Sequence, residues 1–158
     1  MEKVNDKAEK DQKSRENFVE NMFTRPQFKE KTERLLGKFS RFMEQNPRSM
    51  TRMVSAFGLW HVRDILSEYN TDEDKLAQWV IINQRWPMMA SFLEERPEIV
   101  DKIIGKDTRC WDKILEDEKV GELEKKMFLD PAIADVLTGK GVTGKPIDSD
   151  TIRNLASR

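Results

Sequence analysis

Two arginines four residues apart are the side chains best spaced for chemistry in this chain. Arg48 and Arg52 follow Asn46-Pro47 and bracket Ser49. Asparagine followed by proline is a helix start, because Asn caps free amides and Pro suits the first helical position. Such a terminus carries about half a positive charge. Arg48 in its first turn, Arg52 one turn on along the same side, and the Ser49 hydroxyl could together clamp a phosphate. The pattern alone weighs toward both arginines being solvated or paired with carboxylates elsewhere. A second feature, Arg85-Trp86-Pro87, places an aromatic at a helix end. The ordinary role of such a tryptophan is to fill a corner between helices; a partner interface is the alternative.

Gly139-Lys140-Gly141-Val142-Thr143-Gly144-Lys145 satisfies the first seven positions of a phosphate-binding loop. The eighth should be Ser or Thr for magnesium, with a helix behind it whose amides cradle phosphate. Here it is Pro146, which has no amide hydrogen. The residues before the loop read as a helix where a strand is needed, and thirteen residues after Lys145 leave no room for a sheet. The segment is read as a glycine-rich surface loop. Arg34, Lys38 and Arg41 form a basic stripe that could touch nucleic acid, although Glu33 and Glu44 interleave with it. His61, the one histidine, falls at the edge of an apolar helical face. With Cys110 as the single cysteine, a Cys/His zinc site lacks ligands and an internal disulfide is impossible. No nucleophile and base stand at catalytic spacing, so no catalytic residue is assigned and no cofactor is expected.

The elements that must position these residues read as helices. Phe18, Val19, Met22 and Phe23 form a first apolar stripe, interrupted at Pro26. Phe28, Leu35, Leu36, Phe39, Phe42 and Met43 follow at three-and-four spacing, which predicts an amphipathic helix over 28–43 with Gly37 tolerated inside it. Met50, Met53, Val54, Phe57 and Trp60 continue from Asn46-Pro47. Thr71-Asp72-Glu73-Asp74 resembles a capping box ahead of Leu76, Ala77, Trp79, Val80 and Ile81. The run from Trp79 to Ile82 suits a short strand by composition, but periodicity from Leu76 to Trp86 decides for a helix. Pro87, Pro97 and Asp130-Pro131 then open short helices, the last ending before Gly139. No segment alternates as a strand would. The expected fold is all-α, a compact bundle of roughly six to eight helices spanning residues 18–158. Residues 1–17, with five basic and five acidic side chains, form a charged tail, flexible or an extended helix.

The chain has 158 residues, 37% apolar and 36% charged, enough for one modest core. No apolar run approaches the ~20 residues that span a bilayer, and the N-terminus has no secretory pattern. A soluble, cytoplasmic domain with no membrane contact is expected. Net charge is −1, yet residues 1–63 hold 14 Lys+Arg against 9 Asp+Glu while residues 64–158 hold 14 against 20. That asymmetry either steers an anionic partner to the first half or reflects two halves that attract each other. Acidic residues scattered through the basic half favour the second.

NPRSMTRMVSAFGL (Asn46–Leu59) resembles the Asn-Pro-Arg-x-x-x-Arg stretch in the helical region after the nucleotide-binding domain of bacterial KAP-type and related STAND-type P-loop NTPases. LAQWVIINQRWPMMASFLEERPEIV (Leu76–Val100) resembles their Leu-Ala-x-Trp…Arg-Trp-Pro block, and DPAIADVLTGKGVTGKPIDSDTIRNL resembles their C-terminal turn-and-helix tail. The likeness covers roughly residues 30–158, with Ser55 standing where that family has asparagine. It implies that Arg48 and Arg52 belong to a lid or sensor helix facing the phosphates of a nucleotide held by a P-loop domain. The phosphate loop and magnesium-binding strand have no counterpart here. The resemblance therefore implies a non-enzymatic regulatory or interaction domain that partners a P-loop NTPase or another protein. The alternative is a helical nucleic-acid-binding module using Arg34, Lys38, Arg41, Arg48 and Arg52.

Overall fold

A computed structural model describes residues 25–43 and 46–156, together with residues 13, 14, 17 and 21. The apolar stripe at Phe18, Val19, Met22 and Phe23, and most of the charged tail, lie outside the described residues. Among those described there are nine α-helices, eight of them of seven residues or more, and no strand. The fold is an all-α multi-helix bundle. That agrees with the expected bundle of roughly six to eight helices, several of them short and opened by proline.

Proline sets the first helix, α1 (Pro26–Gly37), where Pro26 takes the opening position. The helix does not run on to Met43 as its spacing predicts. It ends at Gly37 and is followed by a 3-10 turn at Ser40–Phe42. Glycine is a poor helix residue, and breaking there lets Phe39, fully buried, and Phe42 turn into the core. The longest helix among the described residues, α2 (Pro47–Leu66), starts as its Asn-Pro signature predicts: Asn46 Oδ1 accepts the Ser49 amide at 2.7 Å. After α2 the chain reverses through Glu68 and Asn70, both left-handed. Buried Asp64 holds that turn by accepting the Thr71 amide at 2.8 Å and the Thr71 hydroxyl. Thr71 is thus committed to the preceding turn, and Asp72 alone caps α3 (Glu73–Arg85) through the Asp74 amide.

Helix α3 is the hub. All seven residues from Leu76 to Ile82 are buried, so the run that composition alone could assign to a strand is a helix covered on every side. It packs against α1, α2, α4 (Pro87–Glu95) and α8 (Pro131–Thr138). Trp79 meets Trp60 of α2 edge to face, with centroids 6.4 Å apart. Three further short helices, α5 (Glu98–Ile103), α6 (Trp111–Asp117) and α7 (Glu122–Phe128), wrap the far side. Phe92 of α4 and Phe128 of α7 pack edge to face at 5.7 Å. Helix α9 (Ser149–Ala156) lies beyond the last helix that periodicity reveals. It packs on α4 and α5, and Asp101 accepts the Ser149 amide at 2.9 Å and the Ser149 hydroxyl.

Lys31–Glu73 (2.7 Å), Lys38–Asp74 (3.1 Å) and Arg41–Asp135 (3.1 Å) each join the basic first half to the acidic second half. The charge asymmetry of the sequence is used, at least in part, internally. Each exposed pair contributes little singly, roughly 0.2–1 kcal/mol.

His61 is half-buried between two phenylalanine rings, 5.9 Å from Phe28 and 5.7 Å from Phe57. Burial lowers its pKa, opposed by the carboxylates of Glu73 and Asp64 and assisted by Lys31. Its Nδ1 is buried without a partner, as suits a histidine on an apolar face. A histidine whose folded pKa lies below its unfolded value favours the fold in the neutral form. That contribution is complete above the unfolded pKa of about 6.5 and is lost as pH falls through the folded value. Melting temperature is therefore expected to drop between pH 7 and pH 5. His61→Phe, which keeps the ring stack and carries no proton, should flatten that slope in calorimetric melts. An unchanged slope would show that other groups control it.

Candidate functional site

The structure divides the Asn46–Arg52 candidates into caps and cleft residues. Asn46 is spent on the cap: its side chain takes the Ser49 amide, and its carbonyl accepts from Ser49 at 3.1 Å and Met50 at 3.3 Å. Pro47 has no amide to offer. Little of the helix terminus is left for an anion, so binding there would fall to side chains. Ser49 and Arg52 do line a cleft of about 110 Å³, backed by Phe42, Met43 and Met53. Across it stand Gln84 and Arg85, from the end of α3. Two arginines that are 33 positions apart in the sequence thus share one small, polar-rimmed cleft. Arg48 is exposed and does not line it. Among the described residues, neither Arg48 nor Arg52 has an ion-pair partner.

Trp86 sits at the corner between α3 and α4. Its amide donates to the Ile82 carbonyl at 2.8 Å and its carbonyl accepts from Ala90 at 3.0 Å. The half-buried indole packs against the core. Trp86 therefore orients the end of α3, and with it Arg85, while filling the angle between the two helices.

The glycine loop is closed on itself. Gly139 ends α8 in the left-handed conformation, and its carbonyl accepts from Val142 (3.2 Å), Thr143 (3.1 Å) and Gly144 (2.9 Å). These are amides that a phosphate loop would aim at its ligand. Lys145 Nζ, which would reach a phosphate there, is bound to Asp72 at 2.8 Å and lies 3.5 Å from Asp74. That bond holds the lysine pKa up and the Asp72 carboxyl down. Gln78, fully buried on α3, donates its Nε2 to the carbonyls of Val136 and Lys145, both at 2.8 Å. The loop is a clasp fastening the C-terminal segment to the N-terminal half of α3. Nothing in its sequence announces the clasp, because the fastening groups, Asp72 and Gln78, belong to another helix.

Of the basic stripe, Lys38 and Arg41 are engaged with Asp74 and Asp135, and Arg41 also donates to the Lys140 carbonyl at 2.7 Å. Arg34 remains exposed on α1. No cluster of His, Cys, Asp and Glu among the described residues is arranged to hold a metal ion, and no helix among them is long and apolar enough to cross a membrane. No family model matches the chain, and searches of curated proteins and of solved structures likewise find no match.

Proposed function

We propose that this protein is a non-catalytic helical interaction domain of the cytoplasm that docks on a P-loop NTPase and presents Arg52 and Arg85 to the bound phosphates, as a lid or sensor. The observation supporting this reading is the cleft in which Ser49, Arg52 and Arg85 meet. Guanidinium groups suit phosphate because their donors are planar and paired, and their charge is permanent. The likeness of Asn46–Leu59 and Leu76–Val100 to the helical region of KAP-type NTPases points the same way. The nucleic-acid alternative is weakened because Lys38 and Arg41 already bind carboxylates of the same chain.

Pyrophosphate is the simplest probe. Titrated into isotope-labelled protein, it is expected to shift the Nε–H resonances of Arg52 and Arg85 saturably, in the millimolar range. The double variant R52E/R85E should lose at least tenfold in affinity, and a Lys145→Ala variant should bind as the parent does. In parallel, a protein bearing a phosphate-binding loop should co-purify with the parent chain and not with R52E/R85E. Absence of any shift at those arginines would overturn the reading. So would ATP turnover by the purified chain that Lys145→Ala abolishes.

A further inference from the structure

A second, wider groove shares no residue with the Arg52–Arg85 cleft. It encloses about 780 Å³ between the Gly105–Arg109 turn and the α7–α8 corner. Trp111 and Phe128, both fully buried, close it from beneath. Its accessible apolar surface comes from Pro131 and from Leu129, which is 41% exposed. Part of this leucine, at the junction of two helices, is open to solvent.

The rim is cationic. Lys106, Arg109 and Lys140 stand around the opening, with Asp107 and Asp135 between them. Both carboxylates are already matched within the chain. Arg109 grips Asp107 with contacts of 2.6–3.1 Å, and Arg41 reaches Asp135 at 3.1 Å. The Asp107 carboxyl is held down to about 2 by Arg109, so it stays ionised and paired. Lys106 and Lys140 form no salt bridge among the described residues, although Lys140 acts electrostatically on the Asp107 carboxylate. Counting Arg41, four cations stand against two carboxylates, a net charge of +2. It lies mostly in the half of the chain whose own balance is acidic, 14 Lys+Arg against 20 Asp+Glu.

We infer that this groove is the docking site for an acidic segment of a partner protein, one carrying apolar anchors between Asp and Glu residues. The anchors would cover Leu129 and Pro131, and the acids would meet Lys106 and Lys140. Paired rim charges set specificity and approach, while the apolar floor supplies the buried area. A single-stranded nucleic acid fits less well, because Trp111 is buried and offers no stacking face.

Cys110 provides the test. It is exposed, is the single cysteine of the chain, and lies between two residues of the groove. With an environment-sensitive dye on Cys110, the probe is a synthetic peptide with Leu and Phe at helical spacing and Asp or Glu elsewhere. Its addition should change the emission saturably, in the micromolar range, and the affinity should fall as salt is raised. The double variant K106E/K140E, altered only at exposed positions, should weaken binding at least tenfold. Leu129→Asp should do the same, while Arg52→Glu should leave it unchanged. The inference fails if the peptide gives no saturable response up to about 1 mM. It fails equally if a peptide with Lys in place of every acid binds as well, if a labelled oligonucleotide binds the groove more tightly than the peptide, or if Leu129→Asp merely dissolves a dimer of this chain in sedimentation.

Discussion

Gly139→Ala is expected to lower stability by about 3 kcal/mol, which for a domain of this size lowers the melting temperature by about 6–12 °C. Part of the loss is conformational, since Gly139 has φ +67° and a left-handed alanine costs roughly 1–2 kcal/mol. The rest is steric: a Cβ at this position would stand 2.3 Å from the Lys145 carbonyl oxygen and 2.6 Å from Thr143 Oγ1. The carbonyl cannot retreat cheaply, because Gln78 holds it at 2.8 Å from inside the bundle. Gly144 serves as the internal control. It has φ +70° but open space where its Cβ would be, so Gly144→Ala should cost only the conformational share. Thermal melts of the two variants side by side decide the matter. Equal effects would mean that the loop is a free surface turn and not a clasp.

The second large effect is at the hub. Trp79→Ala removes a fully buried indole from the helix that touches α1, α2, α4 and α8, and its loss should cost about 3–5 kcal/mol. That corresponds to roughly 6–20 °C in melting temperature. The size of the effect depends on how far Trp60, which meets Trp79 edge to face, can relax into the space. Trp79→Phe should be far milder. The indole Nε1 is buried with no hydrogen-bond partner, so phenylalanine gives up area and at the same time removes an unsatisfied donor. Denaturant melts would show a large shift in midpoint for alanine and a small one for phenylalanine. A phenylalanine variant as unstable as the alanine one would mean that the indole nitrogen is bonded in solution.

Much of the helical plan is legible because it rests on local chemistry. Asn46-Pro47 and Asp130-Pro131 mark their helix starts, since a capping side chain and a residue with no amide suit only that place. Gly139 marks a helix end for the converse reason. The structure departs from this reading at Gly37, where burial of Phe39 outweighs continued periodicity, and at α9, where Ile152 and Leu155 are too few to signal a helix. Thr71 is a similar case: its type suits a cap, but Asp64 claims it first.

The two candidate sites divide the same way. Arg48 and Arg52, with Ser49 between them, are visible as a set because one helical turn brings i and i+4 to the same side, yet only Ser49 and Arg52 reach the cleft. Arg85 stands out beside Trp86 for its type alone, and no local rule says that it faces Arg52. The groove left no trace at all, since Lys106, Leu129 and Lys140 are separated by stretches of ordinary helix and turn.

Residue order alone determined that the chain is helical, where most helices begin, and that the segment from Gly139 to Lys145 is a poor phosphate loop. Those properties follow from capping, backbone freedom and apolar period, which act over a few residues. Only the tertiary structure decided that Lys145 is tied to Asp72, that Arg52 and Arg85 share a cleft, and that two lysines rim an open apolar groove. Those juxtapositions depend on how α3 is buried among its neighbours, and packing of that kind is a property of the whole chain.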